Sequence, residues 1–231
     1  MKSLVGWLVL LMIAVAGQAF AASDADQCKD LYLSASYKEA AIPCERAAGQ
    51  GDVNAQDILA WMYDLGKGVS KDKKKAAKWY RMAAGQGNAN AQNNLGLMYQ
   101  YGQGVPQDYK QAMKWYLLSA GQGDADAQNR LGWMYDMGLG VPRDKKEAAK
   151  WYTLAARQGN GNAQINLGSM YRFGVGVPKD YIKAYAWFSV AVELGFDKAV
   201  EFRDLLMVDM TPSAIKKGEE LSKEYYNMYT K

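Results

Sequence analysis

The sequence of 231 residues contains no histidine, the side chain used most often as a general base and as a metal ligand. Cysteine is nearly as scarce, since Cys28 and Cys44 are the only two. A large excess of one charge is also missing: 28 basic and 24 acidic residues give a net charge of +4. Acids and bases alternate in short segments, which favours a solvated mixed-charge surface over nucleic-acid binding.

Long apolar runs are confined to the N-terminus. One basic residue, Lys2, precedes the apolar stretch Leu4 to Ala16, and Ala19-Phe20-Ala21 fits the small-x-small pattern of a signal-peptidase site. We therefore predict a signal peptide over residues 1–21 and a periplasmic or secreted protein without a membrane span after cleavage. The alternative is an uncleaved anchor, although the segment is short for a spanning helix.

The remainder of the chain repeats itself with a period of 36 residues. An Ala-Gln pair recurs at 55–56, 91–92, 127–128 and 163–164, and a tryptophan recurs at 79, 115, 151 and 187. We place the four repeats at residues 52–87, 88–123, 124–159 and 160–195. They follow a shortened N-terminal unit at 22–51 and precede a C-terminal cap at 196–231.

Each repeat carries two helical patterns. In the second copy, Ala91, Leu95 and Met98 form one apolar stripe of a first helix, and Asn88 is placed to cap it. A Gly-x-Gly-Val-Pro turn ends that helix, because glycine permits positive φ and proline blocks helix continuation. Glycines inside the first helices, at 96, 132 and 168, indicate that a neighbouring helix comes close. Neither helix buries its stripe alone, so consecutive pairs must stack into an α-solenoid.

The repeats resemble Sel1-like repeats, a relative of the tetratricopeptide class. The resemblance rests on Ala-Gln-x-x-Leu-Gly-x-Met-Tyr, Gly-x-Gly-Val-Pro-x-Asp and Ala-x-x-Trp-Tyr-x-x-Ala-Ala, and it covers four full copies. It implies an all-α fold, a right-handed α-solenoid of antiparallel helix pairs that acts as an adaptor for protein complexes. The fourth copy departs at its end, where Val192-Glu193-Leu194 replaces the usual Ala, polar residue and Gln.

The two cysteines lie in the shortened N-terminal unit. Aligned with the full repeats, Cys28 and Cys44 take core-facing positions on two antiparallel helices joined by a brief turn at Ser34–Ser36. An even number of cysteines in an exported chain favours pairing. We predict a Cys28–Cys44 disulfide, with two buried free thiols as the alternative.

Motifs that suggest catalysis have simpler explanations. Ser70-x-x-Lys73 and Ser213-x-x-Lys216 match the Ser-x-x-Lys of penicillin-interacting enzymes, but no Ser-Asp-Asn or Lys-Thr-Gly accompanies them. Asp124 and Asp126 lie at a helix start, where capping explains them without a metal ion. We therefore predict no catalytic residue, no metal site and no cofactor.

Residues that differ between the copies are free to serve a ligand. Positions 57, 61, 64 and 65 and their counterparts lie off the core stripe of each first helix, which in solenoids of this class lines the concave surface. Trp61 and Trp133 are the predicted anchors, although both could instead pack under neighbouring helices. The predicted binding set is Asp57, Trp61, Asp64, Asn93, Leu97, Gln100, Tyr101, Asn129, Trp133, Asp136, Arg172 and Phe173.

These observations predict a monomeric, non-catalytic scaffold that binds a protein or peptide. The acidic members of the binding set favour a partner segment with basic residues. A cell-wall-directed enzyme or glycan-binding protein that uses the same aromatic groove is the alternative, and a purely structural spacer is a third possibility.

Overall fold

The computed structural model describes residues 22–229, so the predicted signal peptide lies outside the described residues. Residues 22–229 form twelve α-helices and no strand. The helices are α1 (Asp24–Leu33), α2 (Tyr37–Gly49), α3 (Val53–Leu65), α4 (Lys73–Gly85), α5 (Ala89–Tyr101), α6 (Tyr109–Gly121), α7 (Ala125–Met137), α8 (Lys145–Arg157), α9 (Gly161–Phe173), α10 (Tyr181–Glu193), α11 (Lys198–Met207) and α12 (Pro212–Tyr229).

The predicted α-solenoid of antiparallel helix pairs is confirmed. The chain divides into two compact units, one ending at Ala83 and one beginning at Ala84. The first unit contains α1 to α3 and most of α4, and the second contains α5 to α12. In the second unit, the first helix of each repeat packs against the second helix of the same repeat, and in the first unit α1 packs against α2. None of the helices between residues 22 and 229 is long and apolar enough to cross a bilayer.

Side-chain caps fix where the helices begin. Asp52, Asn88, Asp124 and Asn160 each accept a hydrogen bond from the backbone N–H three residues later, at 2.7 to 2.9 Å. The second helices begin in the same way at Asp72, Asp108, Asp144 and Asp180. Because these carboxylates and amides satisfy N–H groups that have no partner inside the helix, both sets of predicted caps are confirmed.

The interior glycines allow the two helices of a repeat to approach closely. A Cβ atom on Gly132 would lie 2.6 Å from the Tyr152 ring, and one on Gly168 would lie 2.6 Å from the Phe188 ring. Gly96 faces Tyr116 in the same way. The prediction of a close helix approach at these positions is therefore confirmed.

A buried glutamine joins consecutive repeats. Gln128 of α7 donates a hydrogen bond to the Ala120 carbonyl at the end of α6 and accepts one from Gln158, which follows α8. Gln92 makes the equivalent pair of bonds, to the Ala84 carbonyl and from Gln122. Since buried amides are costly when unpaired, this side chain fixes how one helix pair stacks on the next.

In the fourth repeat, the equivalent glutamine makes only the first of these two hydrogen bonds. Gln164 donates to the Ala156 carbonyl at 3.1 Å, but its Oε1 is buried without a hydrogen-bond partner among residues 22–229. The cause is Leu194, which stands where Gln122 and Gln158 stand in the preceding copies.

We expect Leu194→Gln to raise the free energy of unfolding by about 1 kcal/mol, because the new amide would donate to Gln164 Oε1. Urea unfolding followed by circular dichroism measures the change. The matched control is Gln158→Leu, which should destabilise the protein by removing the donor to Gln128. An unchanged stability in Leu194→Gln would contradict the assignment of the missing bond.

The two ends are closed differently. Cys28 and Cys44 form a disulfide between α1 and α2, with Cα atoms 4.7 Å apart and both residues fully buried, as predicted. At the other end Trp187 of α10 packs against Tyr225 and Tyr229 of α12, at centroid distances of 4.5 and 5.8 Å. The helix α12 therefore covers the last repeat.

Candidate protein-binding surface

Trp61, a predicted anchor, is half-buried in an aromatic cluster of the first unit. Its ring meets Tyr32 edge-on at 5.2 Å between centroids and lies 5.4 Å from Tyr37. These tyrosines belong to α1 and α2. Part of the Trp61 surface therefore stabilises the shortened N-terminal unit. Packing against neighbouring helices was the alternative to a binding role for this residue.

Asp57 carries an isolated, largely buried carboxyl group. Its Oδ1 is buried without a hydrogen-bond partner among the described residues. Burial raises the pKa of Asp57 from 3.8 to about 6, because the charged form loses solvation that no partner replaces. The buried Tyr80 has a raised pKa, first because of its own burial and then because of the Asp57 and Asp64 charges.

Two other predicted acids are already paired with lysines of the following helix. Asp64 lies 2.5 Å from the Lys73 ammonium, and Asp136 pairs with Lys145 in the same arrangement. Both pairs are mostly shielded from solvent. These lysines neutralise the carboxylates, so the acids give little support to the expectation of a basic partner.

Gln100 occupies the same position in the second repeat, but it is buried, with 3% of its surface exposed. Its Oε1 accepts a 2.7 Å hydrogen bond from the Tyr116 hydroxyl. Gln100 is therefore left out of the surface proposed below, because its amide is used inside the repeat.

Tyr101, Met137 and Phe173 form a row of exposed apolar side chains in the second unit, which we call the first-helix row. They are the last residues of α5, α7 and α9, and they are 57%, 50% and 66% exposed. Leu65 ends α3 of the first unit in the same way and is 46% exposed. A large apolar residue is therefore left in solvent at one register in every copy, whereas the rest of each apolar stripe is buried.

A cavity of about 190 Å³ adjoins Phe173 in the second unit. The Asp136–Lys145 pair forms part of its wall, and Asn166 and Ser169 supply polar groups. This combination of apolar surface with a few polar groups is typical of small binding pockets. The lining residues are Asp136, Lys145, Tyr152, Asn166, Ser169, Met170, Phe173 and Val175.

The other predicted residues of the second unit belong to the same first helices as the first-helix row. Trp133 is half-buried and packs against two apolar clusters, one shared by the second and third repeats and one shared by the third and fourth. Asn129 accepts a 3.3 Å hydrogen bond from Asn166. Arg172 lies 3.9 Å from Asp209 and stacks over Phe173 at 5.2 Å from the ring centroid.

Asn93 and Leu97, on α5, are both half-buried. The Oδ1 of Asn93 is buried and has no hydrogen-bond partner within residues 22–229.

Lys145, Tyr152 and Asn166 line the cavity beside Phe173 but were not predicted from the sequence. Two positions nine residues apart change together between the repeats. They are Asp and Lys in the first and third repeats (64 and 73, 136 and 145) but Gln and Tyr in the second (100 and 109). This joint change between copies is the signal that marks the ion pairs.

Three residues of the motifs that suggested catalysis or metal binding have structural partners. Lys73, the lysine of the first Ser-x-x-Lys, is paired with Asp64. Asp124 caps α7, and Asp126 accepts a hydrogen bond from Asn160. Residues 22–229 contain no cluster of three or more side chains suited to a metal ion.

A family model described as Sel1 repeat matches the chain four times in succession, at residues 53–88, 89–124, 125–160 and 161–196. These matches cover well over half of the chain and begin one residue later than the repeats placed above. No curated protein matches the sequence significantly.

Several solved structures share the fold. A protective antigen present in uropathogenic Escherichia coli strains has 36% identity over 83% of this chain, with a TM-score of 0.78. A Sel1 repeat protein from Oxalobacter formigenes has 38% identity over 74% of the chain, with a TM-score of 0.67. The chain spans 41% and 49% of their respective lengths. An immunity protein from Pseudomonas aeruginosa has 24% identity over 88% of this chain and 81% of its own, with a TM-score of 0.53, which shows a similar fold alone.

Proposed function

Because the chain belongs to the Sel1 repeat family, whose members are generally protein-interaction scaffolds, we propose that it is a non-catalytic scaffold that binds a protein or peptide on the first-helix row. The observation that supports the proposal is the exposure of Tyr101, Met137 and Phe173 at one register of three successive repeats. Exposed apolar side chains that recur in this way are costly in water and are typical of interaction sites.

The surroundings of the row indicate the chemistry of the partner. Phe173 and the cavity beside it would accept an apolar side chain, and Asn166 and Ser169 would form hydrogen bonds with a neighbouring polar group. Asp136 and Lys145 neutralise each other, so the site does not select a strongly charged segment. We therefore propose a partner segment with spaced apolar side chains. Trp133 would add to the apolar surface the part of its ring that the two clusters leave exposed.

We propose that the protein acts in the periplasm or outside the cell, as a monomer. The supporting observation is the buried Cys28–Cys44 disulfide, because such bonds persist in oxidising compartments. No specific observation among residues 22–229 favours the cell-wall-directed alternative.

The test is affinity capture from the native host, with wild type compared to Tyr101→Ser/Met137→Ser/Phe173→Ser. Serine at these three positions removes the apolar side chains of the row and leaves the buried core intact. We therefore expect at least about a tenfold loss of affinity for the partner. The matched control is Leu205→Ser/Val208→Ser, which changes side chains that are 54% and 82% exposed on the C-terminal cap. Capture that is equal in wild type and in the triple variant would refute the site.

A further inference from the structure

Charge is divided unequally between the first and second helices of the second and third repeats. The second helix α6 contains Lys110 and Lys114 and no acidic residue, and α8 contains four basic residues and one acid. The first helix α5 has no charged residue, and α7 has two acids and one arginine. The second helices therefore carry the positive charge of these repeats.

Exposed leucines lie beside these lysines. Leu117, Leu118 and Leu154 are 41%, 45% and 45% exposed. Lys110, Lys114, Leu117 and Leu118 have the spacing i, i+4, i+7 and i+8, which places them on one face of α6. We call this surface the second-helix patch; it comprises Lys110, Lys114, Leu117 and Leu118 of α6 and Lys146, Lys150 and Leu154 of α8.

The patch contains a depression of about 470 Å³ whose wall is almost entirely apolar. Met113, Leu117 and Leu118 line it, and Lys110 and Lys114 lie at the same depression. Lys110, Lys114 and Lys146 form no ion pair within residues 22–229, whereas Lys150 pairs with Glu147. Three ammonium groups are therefore available to an anionic ligand that also offers an apolar part.

We propose that the second-helix patch docks on a membrane surface that carries anionic lipid headgroups. Lysine ammoniums act as point charges without a preferred planar geometry, which suits a layer of mobile headgroups. The leucines would enter the boundary between headgroups and acyl chains, as the apolar side of an interfacial helix does.

An acidic protein is the less favoured occupant. Apart from the lysines, α6 presents apolar side chains to the depression. No carboxylate, amide or hydroxyl side chain lines it to fix the orientation of one particular protein partner. The proposal goes beyond the binding of a protein on the first-helix row, because the two surfaces lie on different helices and share no residue.

The test is co-sedimentation of the mature protein with vesicles of phosphatidylcholine alone or with 30% phosphatidylglycerol. We expect binding to the anionic vesicles, no binding to the neutral ones, and release as salt is raised. Lys110→Glu/Lys114→Glu should weaken binding at least about tenfold, because each lysine near an anionic surface contributes to attraction. Leu117→Ser/Leu118→Ser should weaken binding at low salt, because serine does not enter the boundary between headgroups and acyl chains.

The matched charge control is Lys216→Glu/Lys217→Glu, two exposed lysines of α12, which should bind as the wild type does. The Tyr101→Ser/Met137→Ser/Phe173→Ser variant should also retain vesicle binding, so this result is independent of the protein-binding site. Equal binding of wild type to neutral and anionic vesicles, or full binding by Lys110→Glu/Lys114→Glu, would overturn the proposal. Absence of vesicle binding together with capture of an acidic protein through the patch would overturn it in favour of that partner.

Discussion

Reduction of the Cys28–Cys44 disulfide is expected to lower the free energy of unfolding of the first unit by about 3 kcal/mol. The bond spans 16 residues and joins α1 to α2. In the chain-entropy description, a cross-link of this length restricts the unfolded chain and leaves the folded chain unchanged. The effect should be local, because each pair of helices in a repeat protein is stabilised chiefly by its immediate neighbours.

Hydrogen exchange read by mass spectrometry measures this effect with and without reductant. Amides of α1 and α2 should exchange faster after reduction, and those of α7 to α9 should not change. Cys28→Ser/Cys44→Ser provides the control: it should resemble the reduced protein and show no further response to reductant. Unaltered protection of α1 and α2 after complete reduction would contradict a stabilising role for the bond.

Substitution Asp57→Asn is expected to stabilise the protein by about 1–3 kcal/mol at pH 8 and to have little effect below pH 4. The pKa of Asp57 is raised from 3.8 to about 6 in the folded state. The folded protein therefore binds the proton more tightly than the unfolded chain, and stability falls as pH rises through this window. A shift of each pKa unit corresponds to about 1.4 kcal/mol.

Asparagine fits this position, because Asn93 and Asn129 occupy it in the next two repeats. Urea unfolding of both proteins at several pH values between 3 and 8 measures the difference. Asp30→Asn, at an exposed position of α1, is the control and should change stability little at either end. A stability difference that does not depend on pH would show that the gain does not come from the carboxyl ionisation.

The local elements of this fold could be predicted from the sequence because they depend on neighbours along the chain. Caps such as Asn88 and Asp124 act on an N–H three residues away, and the repeat shows each of them several times. The Cys28–Cys44 pair could be predicted because the shortened unit keeps the register of the full repeats. In each case the distance along the chain between the two interacting residues is enough to predict the interaction.

The accessible residues of the candidate surface were harder to predict, because helical periodicity describes one helix at a time. Gln100 lies off the apolar stripe of α5, but the Tyr116 hydroxyl of α6 needs an acceptor and reaches it. Asp64 and Asp136 are likewise paired by lysines of the following helix. Trp61 meets tyrosines of the shortened unit that precedes its own repeat. Contacts between helices therefore decided which off-stripe residues remained accessible.

Site-specific photo-crosslinking in the native host tests the central claim, that the first-helix row binds a protein partner, most directly. A photoreactive phenylalanine analogue would replace Phe173, which is 66% exposed, and in a separate strain Leu205, which is 54% exposed. The account predicts one or a few discrete protein adducts from position 173 that are absent from position 205. Identical adducts from both positions, or none from position 173, would contradict it.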